Sequence, residues 1–304
     1  MRSVIVFAMP ATAFVLLVAV GLDLTRNDFA QVRRQLSLVL TGLLAPLVLL
    51  PPVALLLVWI FDASPELAAA ILLIAACPIG GISNTYSYLA RASPALSVTL
   101  TGLSCLCCGV TIPIVGKALE LALGTPLGIE VPLVLLASEL LLVLGLPIAI
   151  GMWVRSRSQG LALRCAPTLQ RVAFVGVAII LALIVAGDGD AFGREFSTTA
   201  PLVAAFVMAS TIVGWMVAAV VTHDPRDRFT LAAEFGTRNV GIATAIAVTF
   251  LGRLEFGRFV AVYAMVEVPL LLGTVAVFRY WQRRTGRHIG IPGRILRASL
   301  IDRR

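Results

Sequence analysis

The feature that most constrains this chain is its series of apolar runs of membrane-spanning length. Nine are marked, at about 4–22, 36–61, 67–90, 95–116, 131–154, 172–187, 199–222, 229–252 and 258–281. A bilayer core is ~30 Å thick, and an α-helix crosses it with ~20 apolar residues. With 59% hydrophobic and 13% charged residues among 304, no soluble domain of this size could bury the apolar surface the chain carries. The connections are short and leave no room for a separate soluble catalytic domain. An all-α polytopic membrane protein is expected, with residues 1–282 as one transmembrane domain and 283–304 as a basic tail.

Two of the runs are interrupted by polar and helix-breaking residues. The first reads Cys77-Pro78-Ile79-Gly80-Gly81-Ile82-Ser83-Asn84, with Ser97 and Thr101 in the run that follows. The second reads Glu234-Phe235-Gly236-Thr237-Arg238-Asn239. Lipid offers no water to such groups, so they need protein or a ligand around them. A charge at the bilayer centre costs roughly 2.5–3.5 kcal/mol even on the lenient insertion scale. One such patch in each half points to a transport site between two repeats. The halves also share a spacing: Asn84 precedes Pro113 by 29 residues, and Asn239 precedes Pro269 by 30. The expected layout is an inverted repeat, about 4–117 against 172–281 with 131–154 as the link, carrying two crossing discontinuous helices.

The net charge of +8 does not signal nucleic acid. With the N-terminus outside and nine crossings, 18 of the 24 basic residues fall on the cytoplasmic side, five outside, and one, Arg238, within a run. That asymmetry predicts a cytoplasmic C-terminus and a protein of the cytoplasmic or plasma membrane. The acidic loop around Asp188, Asp190 and Glu195 falls outside. The tail interleaves Ile291, Ile295, Leu296, Leu300 and Ile301 with arginines. It reads either as an interfacial helix or as an orientation signal alone. The first run reads as a retained helix rather than a signal peptide, being long, without a small-residue cleavage site and followed by three arginines.

Chemistry of the enzymatic kind has no sequence support. Cys77, Cys105, Cys107 and Cys108 lie in apolar runs, Cys165 in an expected cytoplasmic loop, and His223 and His288 on the cytoplasmic side, so no zinc spacing exists. The cysteines read as small helix-packing residues. No P-loop, dinucleotide fingerprint, nucleophile elbow or metalloprotease motif occurs. The chain is expected not to be an enzyme and not to consume ATP itself.

At these patches the chain resembles the bile acid/sodium symporter family. Cys77-Pro78 through Ser83-Asn84, then Tyr88-Leu89-Ala90-Arg91, then Ala95-Leu96-Ser97-Val98 and Thr101, resemble that family's first crossover helix and the helix after it. Glu234-x-Gly236-x-x-Asn239 resembles the second crossover, and Gly21-Leu22 with Leu24, Asp28 and Phe29 the end of the family's second helix. The resemblance implies a panel domain, a core domain and alternating access. The family layout has ten helices, and the chain reads as a form lacking the first.

The resemblance also implies a sodium site at Ser83, Asn84, Ser97, Thr101 and Glu234, with sodium as coupling ion and a small organic anion as substrate. Read alone, Ser97 and Thr101 equally suit backbone bonding and helix packing. A second sodium site does not carry over. Pro46 and Arg238 stand where the family supplies glutamines. Arg238, four residues after Glu234, pairs with it if the helix stays regular, and also reads as an occupant of the second sodium's space. Arg238, Asn239, Thr237 and Glu267 are the substrate or coupling candidates. Glu139 is assigned no role, and Tyr86, Tyr88 and Trp153 read as interfacial anchors. The expected activity is sodium-coupled transport of an organic anion with at most one sodium. The alternatives are a proton-coupled or uncoupled permease, or a non-transporting sensor or scaffold.

Overall fold

The structure, a computed structural model, describes residues 2–24, 35–123, 141–187, 189–246 and 255–285. It is helical apart from turns and one isolated two-residue bridge among the described residues. Eleven α-helices follow in order. They are α1 (Arg2–Asp23), α2 (Leu36–Ile60), α3 (Pro65–Ala76), α4 (Ser83–Leu89) and α5 (Pro94–Leu123). A π turn (Leu141–Gly145) leads into α6 (Leu146–Arg157), and then come α7 (Gln159–Gly187) and α8 (Gly189–Val221). α9 (Pro225–Gly236), α10 (Val240–Ala245) and α11 (Glu255–Arg284) close the chain. Among the described residues, five helices are long and apolar enough to span a bilayer alone: Leu36–Ile60, Pro94–Lys117, Gln159–Ile180, Phe192–Val221 and Arg258–Arg284. The chain is an all-α polytopic membrane protein.

The interrupted runs are broken helices. The run at 67–90 is α3 and α4 with a non-helical link, and the run at 229–252 contains α9 and α10 with a shorter one. α3 and α9 begin alike. Ser64 Oγ accepts a hydrogen bond from Leu67 N at 3.3 Å ahead of Pro65, and Asp224 Oδ1 accepts one from Arg226 N at 2.8 Å ahead of Pro225. An N-cap oxygen followed by proline fixes a helix start, because proline's fixed φ suits the first turn and its missing N–H is an orphan there anyway. Both helices run 12 residues to the break. Further on, α5 and α11 are each 30 residues long with one internal proline, Pro113 and Pro269. The two halves therefore repeat an order of capped half-helix, break, short helix and long helix.

Several boundaries differ from the sequence expectation. α7 starts at Gln159 rather than 172, so Cys165 is helical, not in a loop. Hydropathy hides this first part because Arg164 and Arg171 are exposed on it, while Ala162 and Ala166 on its other face bury against Leu22. Likewise α8 begins at Gly189 rather than 199. Residues 131–140 of the linking run, Glu139, the arginines at 26, 33 and 34, Asp28, Phe29, Asp188, and the tail from 286 lie outside the described residues.

Packing divides the helices into two groups. α1 packs on α6 and α7, and a Cβ added at Gly21 or Gly151 would collide with backbone of the facing helix, so this contact needs both glycines. α8 packs on α9, α11 and α2, and α2 on α3 and α5, with the largest buried cluster between them. This is the panel and core arrangement. The groups meet where Leu17 and Val20 of α1 touch Cys105 and Cys108 of α5 and Ile242 of α10.

Candidate functional site

The two breaks meet and complete one another. Ile79 and Arg238 form an antiparallel bridge, Asn239 N donates to Pro78 O at 2.9 Å, and Gly80 N donates to Thr237 O at 3.4 Å. Backbone groups freed by leaving the helix are thus satisfied by the opposite break, as a low-dielectric interior demands. The approach is close. A Cβ on Gly80 would lie 2.6 Å from Arg238 O, so glycine is required there. Ser104 Oγ accepts from Ile79 N at 3.1 Å, Tyr263 Oη donates to Gly236 O at 3.1 Å, and Asn239 Oδ1 caps α10 through Ile242 N at 3.0 Å.

On the α5 side of this crossing, five polar residues converge from three elements. Ser97 Oγ lies 2.8 Å from Asn84 Oδ1 and hydrogen-bonds Glu234 Oε1. Thr101 Oγ1 is 3.3 Å from Asn84 Oδ1 and 3.4 Å from Glu234 Oε2, and Ser83 Oγ is 3.3 Å from Thr101 Oγ1. Ser83, Ser97 and Glu234 are wholly buried. Every converging side-chain atom named here is oxygen, with one carboxylate among them, a set that could hold a hard cation rather than a soft one. Among the described residues no group of three His, Cys, Asp or Glu side chains gathers as for a transition metal.

Arg238 does not pair with the Glu234 carboxylate, which corrects the expected i,i+4 ion pair. α9 ends at Gly236, so Arg238 leaves the helical path and its guanidinium turns to the helix ends. Nη2 donates to Glu234 O at 2.8 Å and Phe235 O at 3.1 Å, and Nη1 donates to Cys77 O at 3.3 Å. One cation therefore satisfies carbonyls at the C-terminal ends of both α9 and α3, where the helix dipoles are negative. Tyr86 is also corrected. It is buried at the crossing, not an interfacial anchor, whereas Tyr88 and Trp153 are exposed.

The remaining candidates separate. Asn239 faces α5, with Nδ2 3.9 Å from Cys105 Sγ. Thr237 and Glu267 lie together with Tyr86 on the α11 side, apart from the Glu234 cluster. A narrow cleft between panel and core is lined by Asp23, Gln170 and Phe174 from one side and Gly81, Asn84 and Thr101 from the other. Asp23 accepts a hydrogen bond from Gln170 Nε2. The sequence reading missed both, since 147 residues separate them. It also missed Ser104, although Ser97, Thr101 and Ser104 follow one another at helical spacing on a single face.

Comparison with known proteins settles the family, since residues 10–195 match the family described as "Sodium Bile acid symporter family". The chain belongs to the sodium bile acid symporter family. Among symporter relatives, the uncharacterized sodium-dependent transporter YocS of Bacillus subtilis is 24% identical over 79% of this chain and 74% of its own length. The mouse sodium/bile acid cotransporter 4 is 29% identical over 86% of this chain, which spans 59% of that protein. The bovine sodium-dependent organic anion transporter is 24% identical over 80% of this chain and 65% of its own length. The matched region of this symporter-family chain includes the first break, Ser97 and Thr101.

Proposed function

We propose that this chain is a secondary transporter that couples movement of a small organic anion to one sodium ion. The observation that carries this reading is the convergence of Ser83, Asn84, Ser97, Thr101 and Glu234 oxygens at the meeting of two broken helices. A carboxylate buried there among hydroxyl and amide groups, with the nearby Arg238 guanidinium turned to backbone carbonyls, carries a charge that a monovalent cation offsets. Asn84 and Thr101 also line the panel–core cleft, so ion and substrate would be read from adjoining atoms. The names of the three symporter-family relatives, each of which includes sodium, support the choice of sodium.

A second sodium does not fit. Pro46 is buried within α2 and offers no side-chain oxygen, and the Arg238 guanidinium fills the space facing the carbonyls of Cys77, Glu234 and Phe235. A sodium ion ~4 Å from that charge would be repelled by about 4 kcal/mol at an effective dielectric of 20. Arg238 acts in its place as a built-in cation, leaving one mobile ion per cycle. Its burial keeps it off the cleft wall, which favours this role over direct contact with substrate.

The test is uptake into proteoliposomes of a panel of carboxylates and sulfonates under an inward sodium gradient. Uptake that follows the gradient, and is lost in Glu234→Gln, is expected. Equal uptake in potassium or choline would refute sodium coupling.

A further inference from the structure

Charge also gathers away from the crossing, where α4 and α11 end. α4 closes in a turn in which Arg91 N donates to Tyr88 O at 3.0 Å and Ala92 N donates to Ser87 O at 2.9 Å. That closure needs a positive φ at its middle residue, and glycine is the usual occupant because a Cβ is crowded there. Here the residue is an exposed arginine, Arg91, at φ 52°. α11 packs on α4, and its last turns carry Arg279, Arg283 and Arg284. Arg279 lies in the electrostatic field of both Arg91 and Arg283. The end of α11 is fixed against α9, since Phe278 stacks on Phe229 with 4.5 Å between ring centroids.

Like charges gathered in this way repel one another, and among the described residues no carboxylate pairs with Arg91, Arg279 or Arg283. Residues 286–304 do not restore the balance, because they add five arginines against one aspartate. Orientation by charge asks only that arginines lie on this side. It does not ask one of them to take the place of glycine at a helix end, nor two separate segments to bring their arginines together. The arrangement lacks an anion from outside the chain. Aromatic neighbours set its depth. Tyr88, Tyr280 and Trp281 are exposed beside these arginines, and the Arg284 guanidinium sits 4.9 Å over the Tyr280 ring. Exposed tyrosine and tryptophan at helix ends mark the headgroup level of a bilayer. The anion found at that level is a phospholipid phosphate, whose oxygens match the paired donors of a guanidinium. A zwitterionic headgroup brings a cation along with its phosphate, a poor match for three guanidiniums.

We propose that Arg91, Arg279 and Arg283 bind the headgroup of an anionic phospholipid, which bridges the end of α4 to the end of α11. The lipid then braces the far end of the short helix whose first turn carries Ser83 and Asn84. This goes beyond the transport reading and holds whichever ion is coupled.

Delipidated full-length protein in a neutral detergent is titrated with phosphatidylglycerol and, separately, with phosphatidylcholine of the same chains, with the unfolding midpoint as readout. Phosphatidylglycerol should raise the midpoint at the lower concentration. Its half-saturating concentration should rise roughly fivefold in Arg91→Gly and in Arg279→Gln, about the contribution of one basic residue at an anionic surface. Arg164→Gln, which removes an exposed arginine of α7, should titrate like the unmutated protein. Arg91→Gly also separates lipid binding from folding. Without lipid its midpoint should rise by roughly 2–4 °C, because glycine adopts the positive φ without strain. A lipid-free midpoint that falls instead would mean that the guanidinium supports the fold directly, and would overturn the proposal. So would an equal response to the two lipids, or phosphatidylglycerol binding undiminished in Arg91→Gly and Arg279→Gln. Glycerol 3-phosphate forms the last arm. Stabilisation by it at the concentrations where phosphatidylglycerol acts would assign the arginines to a free phosphate compound and refute the lipid.

Discussion

Replacing Arg238 with methionine keeps the bulk of the side chain and removes its charge. In the structure the guanidinium donates to three carbonyls, at 2.8, 3.1 and 3.3 Å, from the ends of two helices. Hydrogen bonds to a charged group contribute ~1.5–3 kcal/mol each, and a cation at a helix C-terminus adds ~0.3–1 kcal/mol per helix. Against this stands the desolvation of a fully buried cation, several kcal/mol, so the intact arrangement is only modestly stabilising in net terms. Removal is not symmetrical with formation. The desolvation cost vanishes with the charge, but three buried carbonyls lose a partner, and Glu234 and Glu267 lose the one positive charge that acts on both among the described residues. Breaking a buried charged arrangement on one side costs about 3–5 kcal/mol. At ~2–4 °C per kcal/mol for a chain of this size, Arg238→Met should lower the unfolding midpoint by on the order of 10 °C. Differential scanning fluorimetry of the detergent-solubilised protein measures it. Arg238→Lys should fall between, since one ammonium cannot reach carbonyls spread over both helix ends. An unchanged midpoint in Arg238→Met would mean that the guanidinium holds nothing together, and the surrogate-cation account would be wrong.

Four further outcomes are expected. Thr101→Ala and Asn84→Ala should raise the sodium concentration for half-maximal stabilisation roughly 3- to 10-fold each, the equivalent of about one hydrogen bond; unchanged titrations would place sodium elsewhere. Gly80→Ala should cost ~1–3 kcal/mol and most of the transport rate, because its methyl group meets the Arg238 carbonyl; normal stability would show that the breaks do not touch there. Arg238→Gln alone should not create a second sodium site, whereas Pro46→Gln with Arg238→Gln should, read as a steeper sodium dependence of the midpoint. An N-terminal tag should be reached from outside and a C-terminal tag from the cytoplasm, as the arginine asymmetry requires, and labelling of both from one side would remove the nine-crossing layout.

Much of the core was readable because a bilayer punishes anything out of place. Pro78, Gly80 and Gly236 stand out in apolar runs for the same reason that the helices break there, and Ser83, Asn84, Ser97, Thr101 and Glu234 stand out as polar groups that must find one another. The signals at Ser64-Pro65 and Asp224-Pro225 were present but fell upstream of the apolar runs, so hydropathy alone started both helices late. The pairing of Arg238 with Glu234 was expected only of a regular helix, and α9 ends two residues before Arg238. The Asp23–Gln170 contact and the setting of Glu267 depend on how separate helices pack, and no spacing within one segment reveals that.

The central claim is one sodium site, made at Glu234. Equilibrium binding of radiolabelled sodium to the purified protein tests it without knowledge of the substrate. The account predicts a single saturable site per chain, abolished in Glu234→Gln and retained in Glu267→Gln. Two sites per chain, or binding that survives Glu234→Gln, would contradict it.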